Sequence, residues 1–289
     1  QGCVMSPDLF SLYTEFVMRK IDNMPGIKVG GKNINNLRYA DDTVLIATKE
    51  DDLQHILNIV NNESEEVGLK INNKKTFTMT ISKQKEPPTC NITLCNQQLQ
   101  QVDSFKYLGA TITSDGRSIG EIKIRIAQAK TAFMDLRKIL TSQRITTETR
   151  RRVLENYIYP ILQYGSEAWN INRKAADIIN AAEMWCYRKA LKISFEDHIT
   201  NEEVLTRMGT ERNLLKSTRK RQAQFFGHAM RREKLEHLVT TGKIEGRKSR
   251  GRPREKILDG ISGWLSSEPL DVLRRVRERE EWKAMVTYA

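Results

Sequence analysis

Residues 36–48 read NLRYADDTVLIAT. Two adjacent carboxylates, Asp41 and Asp42, interrupt an apolar run that has Leu37 and Tyr39 on one side and Val44, Leu45 and Ile46 on the other. Acidic residues are depleted in strands, and neighbouring like charges repel. Two carboxylates held together are, however, a donor set for hard divalent cations such as Mg²⁺. The chemistry that uses such a set is phosphoryl or nucleotidyl transfer, in which two cations about 3.5–4 Å apart activate an attacking hydroxyl and steady a leaving phosphate. A polar β-turn also welcomes Asp, so the pair alone leaves the chemistry open.

The elements around the pair follow from local patterns. Residues 7–23 carry Leu9, Leu12, Tyr13, Phe16 and Val17 at helical spacing, with Ser6 as the expected N-cap and Pro7 in the first turn. A turn-rich passage leads into the 36–48 run, where Asp41-Asp42 is expected to be the two-residue tip of a hairpin. Residues 51–67 read as a second helix stopped by Gly68. The stretch 69–82 alternates as a strand would, as do those around 91–95 and 105–113. Beyond Asp115-Gly116 the pattern turns helical, over 118–140, 147–163, 174–193, 201–231 and about 269–286, with a basic linker at 243–256. Residues 1–113 are therefore of mixed β-α-β character, and the whole is expected to be α+β.

Charge divides the chain. Residues 1–110 hold 12 Lys and Arg against 13 Asp and Glu, whereas 111–289 hold 36 against 23, which accounts for the net +12. A basic rear half suits a polyanion, most simply nucleic acid, although many of the charges alternate in sign as on a solvated helix. No apolar run approaches the roughly 18 residues of a membrane span, and no signal peptide is visible. The cysteines, Cys3, Cys90, Cys95 and Cys186, show no disulfide framework or zinc spacing and read as reduced thiols. His198, His228 and His237 show no ligand spacing, and the four Trp residues read as core anchors.

Several motifs then fall in order: QGCVMSPDLFSLY at 1–13, YADD at 39–42, GLKINNKKT at 68–76, FKYLGATIT at 105–113, RRVLENYIYPILQYGSEAW at 151–169 and a basic tail containing RGRP. This order resembles the palm and downstream region of reverse transcriptases, most closely those of non-LTR (LINE-type) retrotransposons. The resemblance implies a partial polymerase palm at 1–114, built of antiparallel sheet with helices, a thumb-like helical segment at 115–170 and a basic helical C-terminal region at 171–289. It implies that Asp41 and Asp42 are the catalytic, metal-binding carboxylates for two Mg²⁺ (or Mn²⁺) ions. Gln1, Gly2, Tyr39, Ala40 and Lys75 would then lie by the incoming nucleotide, with Lys74 as a neighbouring candidate. Phe105, Lys106, Tyr107, Leu108 and Gly109 would hold the primer, and Lys123, Lys130 and Arg151 would follow the template–primer duplex, among other cations that include Arg125 and Arg150. Arg250, Gly251, Arg252 and Pro253 resemble the core of a minor-groove arm, although an ordinary basic linker is the favoured reading.

The implied activity is RNA-directed DNA polymerisation, with RNA template, DNA primer and deoxynucleoside triphosphates as partners, no membrane, and an intracellular location, nuclear by the family, with assembly in the cytoplasm as an alternative. The family uses a further Asp on a strand preceding the QG motif, together with fingers. The expectation is therefore that these 289 residues are inactive alone and poorly soluble, with a sheet edge uncovered. The alternative is a nucleic-acid-binding module or relic without catalytic activity.

Overall fold

The computed structural model describes residues 4–82, 84, 86–232, 234–242, 244 and 256–288. Gln1, Gly2, Cys3 and the RGRP segment Arg250–Pro253 lie outside them. The chain divides into two compact units, one from the described residues of Gln1–Gly116 and Thr241–Arg250, the other from those of Arg117–Thr240 and Gly251–Ala289.

In the first unit, helix α1 (Ser6–Arg19) is followed by the hairpin β1 (Ile27–Val29) and β2 (Lys32–Ile34), then by the hairpin β3 (Asn36–Tyr39) and β4 (Asp42–Leu45). Helix α2 (Glu50–Glu66) precedes two more hairpins, β5 (Thr93–Leu94) with β6 (Gln97–Gln98), and β7 (Ser104–Tyr107) with β8 (Ala110–Thr113). All four pairs are antiparallel and two-stranded. The α+β class expected from the sequence is present, but among the described residues the strands do not join into one antiparallel sheet.

α2 is the beam of this unit. Its first turn holds Glu50, Asp51 and Asp52, which complement the positive end of the helix dipole. Its end is a Schellman motif: Gly68, at φ +79°, donates its N–H to the Glu65 carbonyl at 3.0 Å, and Leu69 donates to Ser64 at 2.8 Å. One side of α2, with Ile56 and Val60, packs on Val17, Met18 and Ile21. The other side puts Leu57 against Ile92, Leu94 and Leu99. Leu45 of β4 touches both clusters.

Four local expectations are corrected. Ser6 lies inside α1 and makes no cap; Met5 holds the N-cap position without a side-chain bond. Of the expected apolar face, only Val17 is buried, while Leu9, Leu12, Tyr13 and Phe16 are more than half exposed, because the partner helix α2 meets the face carrying Val17 and Met18. Residues 69–82 are not a strand. The Asn72 side chain accepts from the Lys74 N–H at 3.0 Å and starts a 3₁₀ turn, Asn73–Lys75, after which only Thr78 bridges to Gln101. The 105–113 run is itself a hairpin, reversed at Leu108 and Gly109, both at positive φ as a type I′ turn requires.

The second unit is helical: α3 (Ser118–Asp135), α4 (Arg137–Leu140), α5 (Thr147–Val153), α6 (Tyr159–Leu162), α7 (Arg173–Leu191), α8 (Asn201–Met208), α9 (Leu214–Arg232), α10 (Leu235–Thr241), α11 (Ile257–Trp264), α12 (Pro269–Arg275) and α13 (Arg279–Tyr288). Between α5 and α6 the chain makes a π-helical turn, Leu154–Ile158, beside Pro160, which lacks the N–H needed to continue the α-helical ladder. The expected 201–231 helix is broken at Gly209, whose φ of +64° ends α8. The α3 positions Ile122, Ile126, Ala129 and Phe133 enter one core with α5 to α8, and α9 shares a second core with α11 to α13.

Two close approaches set the stability of these units. A methyl added to Gly227 would overlap the indole nitrogen of Trp282, which donates to the Ala223 carbonyl at 2.9 Å. Gly227→Ala should therefore lower stability by about 1–3 kcal/mol, the scale of overpacking a filled core, measured by urea unfolding; an unchanged midpoint would contradict this packing. Asn35, 5% exposed, donates from Nδ2 to the Met24 carbonyl at 3.1 Å and also to that of Ile21. Asn35→Ala should cost about 1–3 kcal/mol by removing these two hydrogen bonds, with faster amide exchange at residues 36–46.

Candidate active site at the YADD hairpin

The hairpin forms because β3 and β4 carry branched and aromatic residues in alternation, with Leu37 paired to Val44 and Arg38 to Thr43. Tyr39 pairs directly with Asp42. The two-residue tip is thus Ala40-Asp41, one residue earlier than the expected Asp41-Asp42. Ala40 takes φ +51°, the strained conformation that closes so short a turn. The shift gives the carboxylates different mountings: Asp42 is fixed in the ladder, and Asp41 stands on the turn. Both are exposed, and Tyr39 is 64% exposed. The tip is open to solvent and to whatever docks there.

Two other elements hold the hairpin. On the α1 side, Arg38 donates to Glu15 at 2.7 Å, and Arg19 reaches the other oxygen of the same carboxylate at 3.2 Å. These bonds hold the Glu15 carboxyl below the usual carboxylate range. On the other side, the Tyr107 phenol is raised above its ordinary value, first by burial and then by the negative charge of Asp42. Tyr107 of β7 therefore lies within electrostatic reach of Asp42, a coupling across 65 positions that no local pattern announces. The Lys75 segment joins the same group through Phe77, whose ring lies 5.8 Å from that of Phe105.

The remaining candidates are placed as follows. Lys74 and Lys75 are exposed on the 3₁₀ turn, Lys106 is exposed on β7, Phe105 and Tyr107 are half-buried, and Leu108 and Gly109 form the hairpin turn. Lys123, Lys130 and Arg151 belong to the helical unit. Lys123 is exposed, Lys130 lies 4.9 Å over the Trp185 ring, and Arg151 donates to the Gly209 carbonyl at 2.7 Å. Arg125 and Arg150 are buried: Arg125 bonds Glu121 at 2.5 Å, and Arg150 holds the Ala190 carbonyl at 2.7 Å. Burial removes these two from the cations expected to meet phosphate.

The described residues contain no cluster of three or more side chains able to ligate a metal. The pair itself suits a hard cation. Mg²⁺ is commonly held by one or two carboxylates and completes its octahedron with water and substrate phosphate. The helices include none long and apolar enough to cross a membrane, among the described residues.

Comparison with known proteins gives this geometry a setting. Residues 1–112 match the family described as reverse transcriptase (RNA-dependent DNA polymerase). The chain is 29% identical over 213 residues to an uncharacterized transposon-derived protein of Caenorhabditis elegans, covering 72% of this chain and 75% of that one. It is 31% identical over 194 residues to the retrovirus-related Pol polyprotein of the type-2 retrotransposable element R2DM of Drosophila melanogaster, covering 62% of this chain and 17% of that protein. A Pol polyprotein of the type-1 element R2 of Nasonia vitripennis is 29% identical over 169 residues, at 55% and 16% coverage. The chain thus spans three quarters of the nematode relative but under a fifth of either Pol polyprotein.

Two measurements test the site's electrostatics. Asp42→Asn should lower the Tyr107 phenol pKa, followed by NMR of the labelled ring carbon; an unmoved titration would separate the two residues. Because the folded pKa of Glu15 lies below its unfolded value, its stabilisation is present above that unfolded value, near 4.5, and is lost as pH falls through the folded one. Glu15→Gln should therefore lower stability at pH 7 and make no difference near pH 2, by urea unfolding at both.

Proposed function

We propose that this chain, whose residues 1–112 match the reverse transcriptase family and which is similar to the Pol polyproteins of R2 retrotransposable elements, carries in Asp41 and Asp42 the metal-binding carboxylates of an RNA-directed DNA polymerase. The observation that carries this reading is the exposed hairpin tip bearing both carboxylates at adjacent positions. In the proposed division, 1–114 is a partial palm, 115–170 a thumb-like segment and 171–289 a basic helical region. Its partners are an RNA template, a DNA primer and deoxynucleoside triphosphates. The proposed setting is the nucleus, following assembly in the cytoplasm.

Divalent ions of the kind this family uses, Mg²⁺ in our reading, would acidify the primer hydroxyl and neutralise charge on the transferred phosphate. The chain's own residues do the positioning. Asp42, locked in the β-ladder opposite Tyr39, offers a fixed oxygen, and Asp41 on the turn offers an adjustable one. Tyr39 and Ala40 line the approach of the nucleotide; Gln1 and Gly2, outside the described residues, are assigned to the same nucleotide by the family resemblance alone. Lys75, or Lys74 beside it, is placed on an exposed turn where an ammonium can meet the triphosphate or give a proton to departing pyrophosphate. Lys106 and the Leu108-Gly109 turn offer a charge and close backbone approach to the primer.

Two carboxylates make an incomplete two-metal cage, so we propose that activity needs a third carboxylate from a further segment of a longer protein. The same observation favours a second reading, a nucleic-acid-binding module without catalysis. Complementation separates the two. The chain supplied with a fingers-palm segment bearing the additional Asp should extend a DNA primer on RNA in Mg²⁺. Asp41→Asn should reduce that rate at least ~10²–10³-fold, the scale of removing a group that stabilises charge in the transition state. Template binding without extension by the complemented wild type would support the binding module and reject the polymerase.

A further inference from the structure

Helix α9 carries six Lys and Arg residues, Lys216, Arg219, Lys220, Arg221, Arg231 and Arg232, and no acid across 19 residues. Its buried side, with Leu214, Thr218, Gln222, Ala223, Phe226 and Met230, is committed to the protein interior. Two of the cations are also committed: Arg221 pairs with Glu167, and Arg231 donates to the Val276 carbonyl at 2.9 Å. Lys216, Lys220 and Arg232 have no partner among the described residues, and Arg219 is a partly desolvated guanidinium, its pKa lowered by burial. On the exposed side Gln224, Phe225 and His228 lie in the open, and the Phe225 ring is 44% exposed. Arg221 and His228 flank Phe225 at i−4 and i+3, the spacings at which helix side chains are neighbours.

An uncompensated cationic face is unusual for a solvated helix, where opposite charges normally interleave. α9 leaves Lys216, Lys220 and Arg232 unmatched along its outward half and exposes the Phe225 ring at the edge of that half nearest Arg232. That combination is the pattern of single-strand binding, in which phosphates are taken by Lys and Arg and a base stacks on an aromatic face. A membrane surface fits less well, because the helix's apolar stripe is already buried in protein and is not free to enter lipid.

We propose that the outward face of α9 is a second nucleic-acid contact, a track for single-stranded RNA or DNA. Lys220 and Arg232 meet phosphates on it, with Lys216 at one edge, and Phe225 at the other edge stacks one base. From Lys216 to Arg232 the track is about 24 Å long at the helical rise, room for a short run of nucleotides. The proposal rests on the reading of this chain as a nucleic-acid enzyme, and it adds a surface remote in sequence from the palm motifs.

The test is fluorescence anisotropy of the full chain with a labelled oligouridine, a blunt RNA–DNA duplex and phosphatidylserine vesicles as competitor. Phe225→Ala should weaken single-strand binding by about tenfold and leave duplex binding unchanged. The triple variant Lys216→Gln, Lys220→Gln, Arg232→Gln should reduce the salt slope for the single strand by about 2. Gln224→Lys, an addition on an exposed position, should tighten single-strand binding, which keeps the test informative if a loss variant folds poorly. If the α9 variants bind as wild type while Lys106→Glu loses binding, the track is rejected and the polymerase reading stands. Wild type that binds neither nucleic acid at low salt rejects both. Equal losses on single strand and duplex, or preferred displacement by vesicles, also overturn the proposal.

Discussion

The first unit turns on one buried amide. The Asn35 side chain satisfies the Ile21 and Met24 carbonyls where the chain leaves α1, and the Asn35 backbone carbonyl accepts the Ile46 N–H at 2.7 Å where the chain leaves β4. One residue thereby ties the end of a helix to both ends of the hairpin that presents Asp41 and Asp42. A buried polar group of this kind is stabilising only while every partner is present. The Asn33 side chain reinforces the clasp, accepting from Gly26 N–H at 2.9 Å and donating to the Met24 carbonyl at 2.8 Å. Gly26 has no room for a Cβ against the Ile34 carbonyl. The plain run PGIKVGGKNINN is thus the mounting of the carboxylates.

The helical unit solves a related problem with charge. Its net positive count suggests a surface made for phosphate, but several arginines are spent on protein carbonyls: Arg150 on Ala190, Arg188 on Ile199, and Arg151 on Gly209. In the opposite sense, the fully buried Glu183 accepts the Asn213 and Leu214 N–H groups, both at 2.9 Å, and so satisfies the start of α9. Burial pushes its carboxyl up, and the two N–H bonds work against that shift. The cations left unmatched are fewer than the sequence count, and those on α9 lie along its solvent-exposed half.

Much of this was legible in the sequence, for identifiable reasons. α2 announced its stop at Gly68 because only a left-handed residue completes that cap. The α3 core positions showed helical spacing because one face is buried. The hairpin tip was displaced by one residue because Ala40, not a glycine or asparagine, takes the positive φ. The 69–82 run alternated like a strand, but Asn72 captured a backbone N–H locally and turned the chain instead. The Asp41–Asp42 pair was visible from its setting and from family resemblance. Its tie to Tyr107 was not, because it joins two hairpins distant in sequence. The exposed face of α9 was hidden within a long basic stretch until burial separated structural cations from unmatched ones.

The central claim is that the hairpin tip binds divalent metal through Asp41 and Asp42, beside Tyr107. Paramagnetic broadening by Mn²⁺ in the labelled chain tests it directly, without requiring catalysis. The account predicts broadening centred on residues 39–43 that extends to Tyr107 and disappears in Asp41→Asn. Broadening centred elsewhere, or unchanged by that substitution, would contradict it.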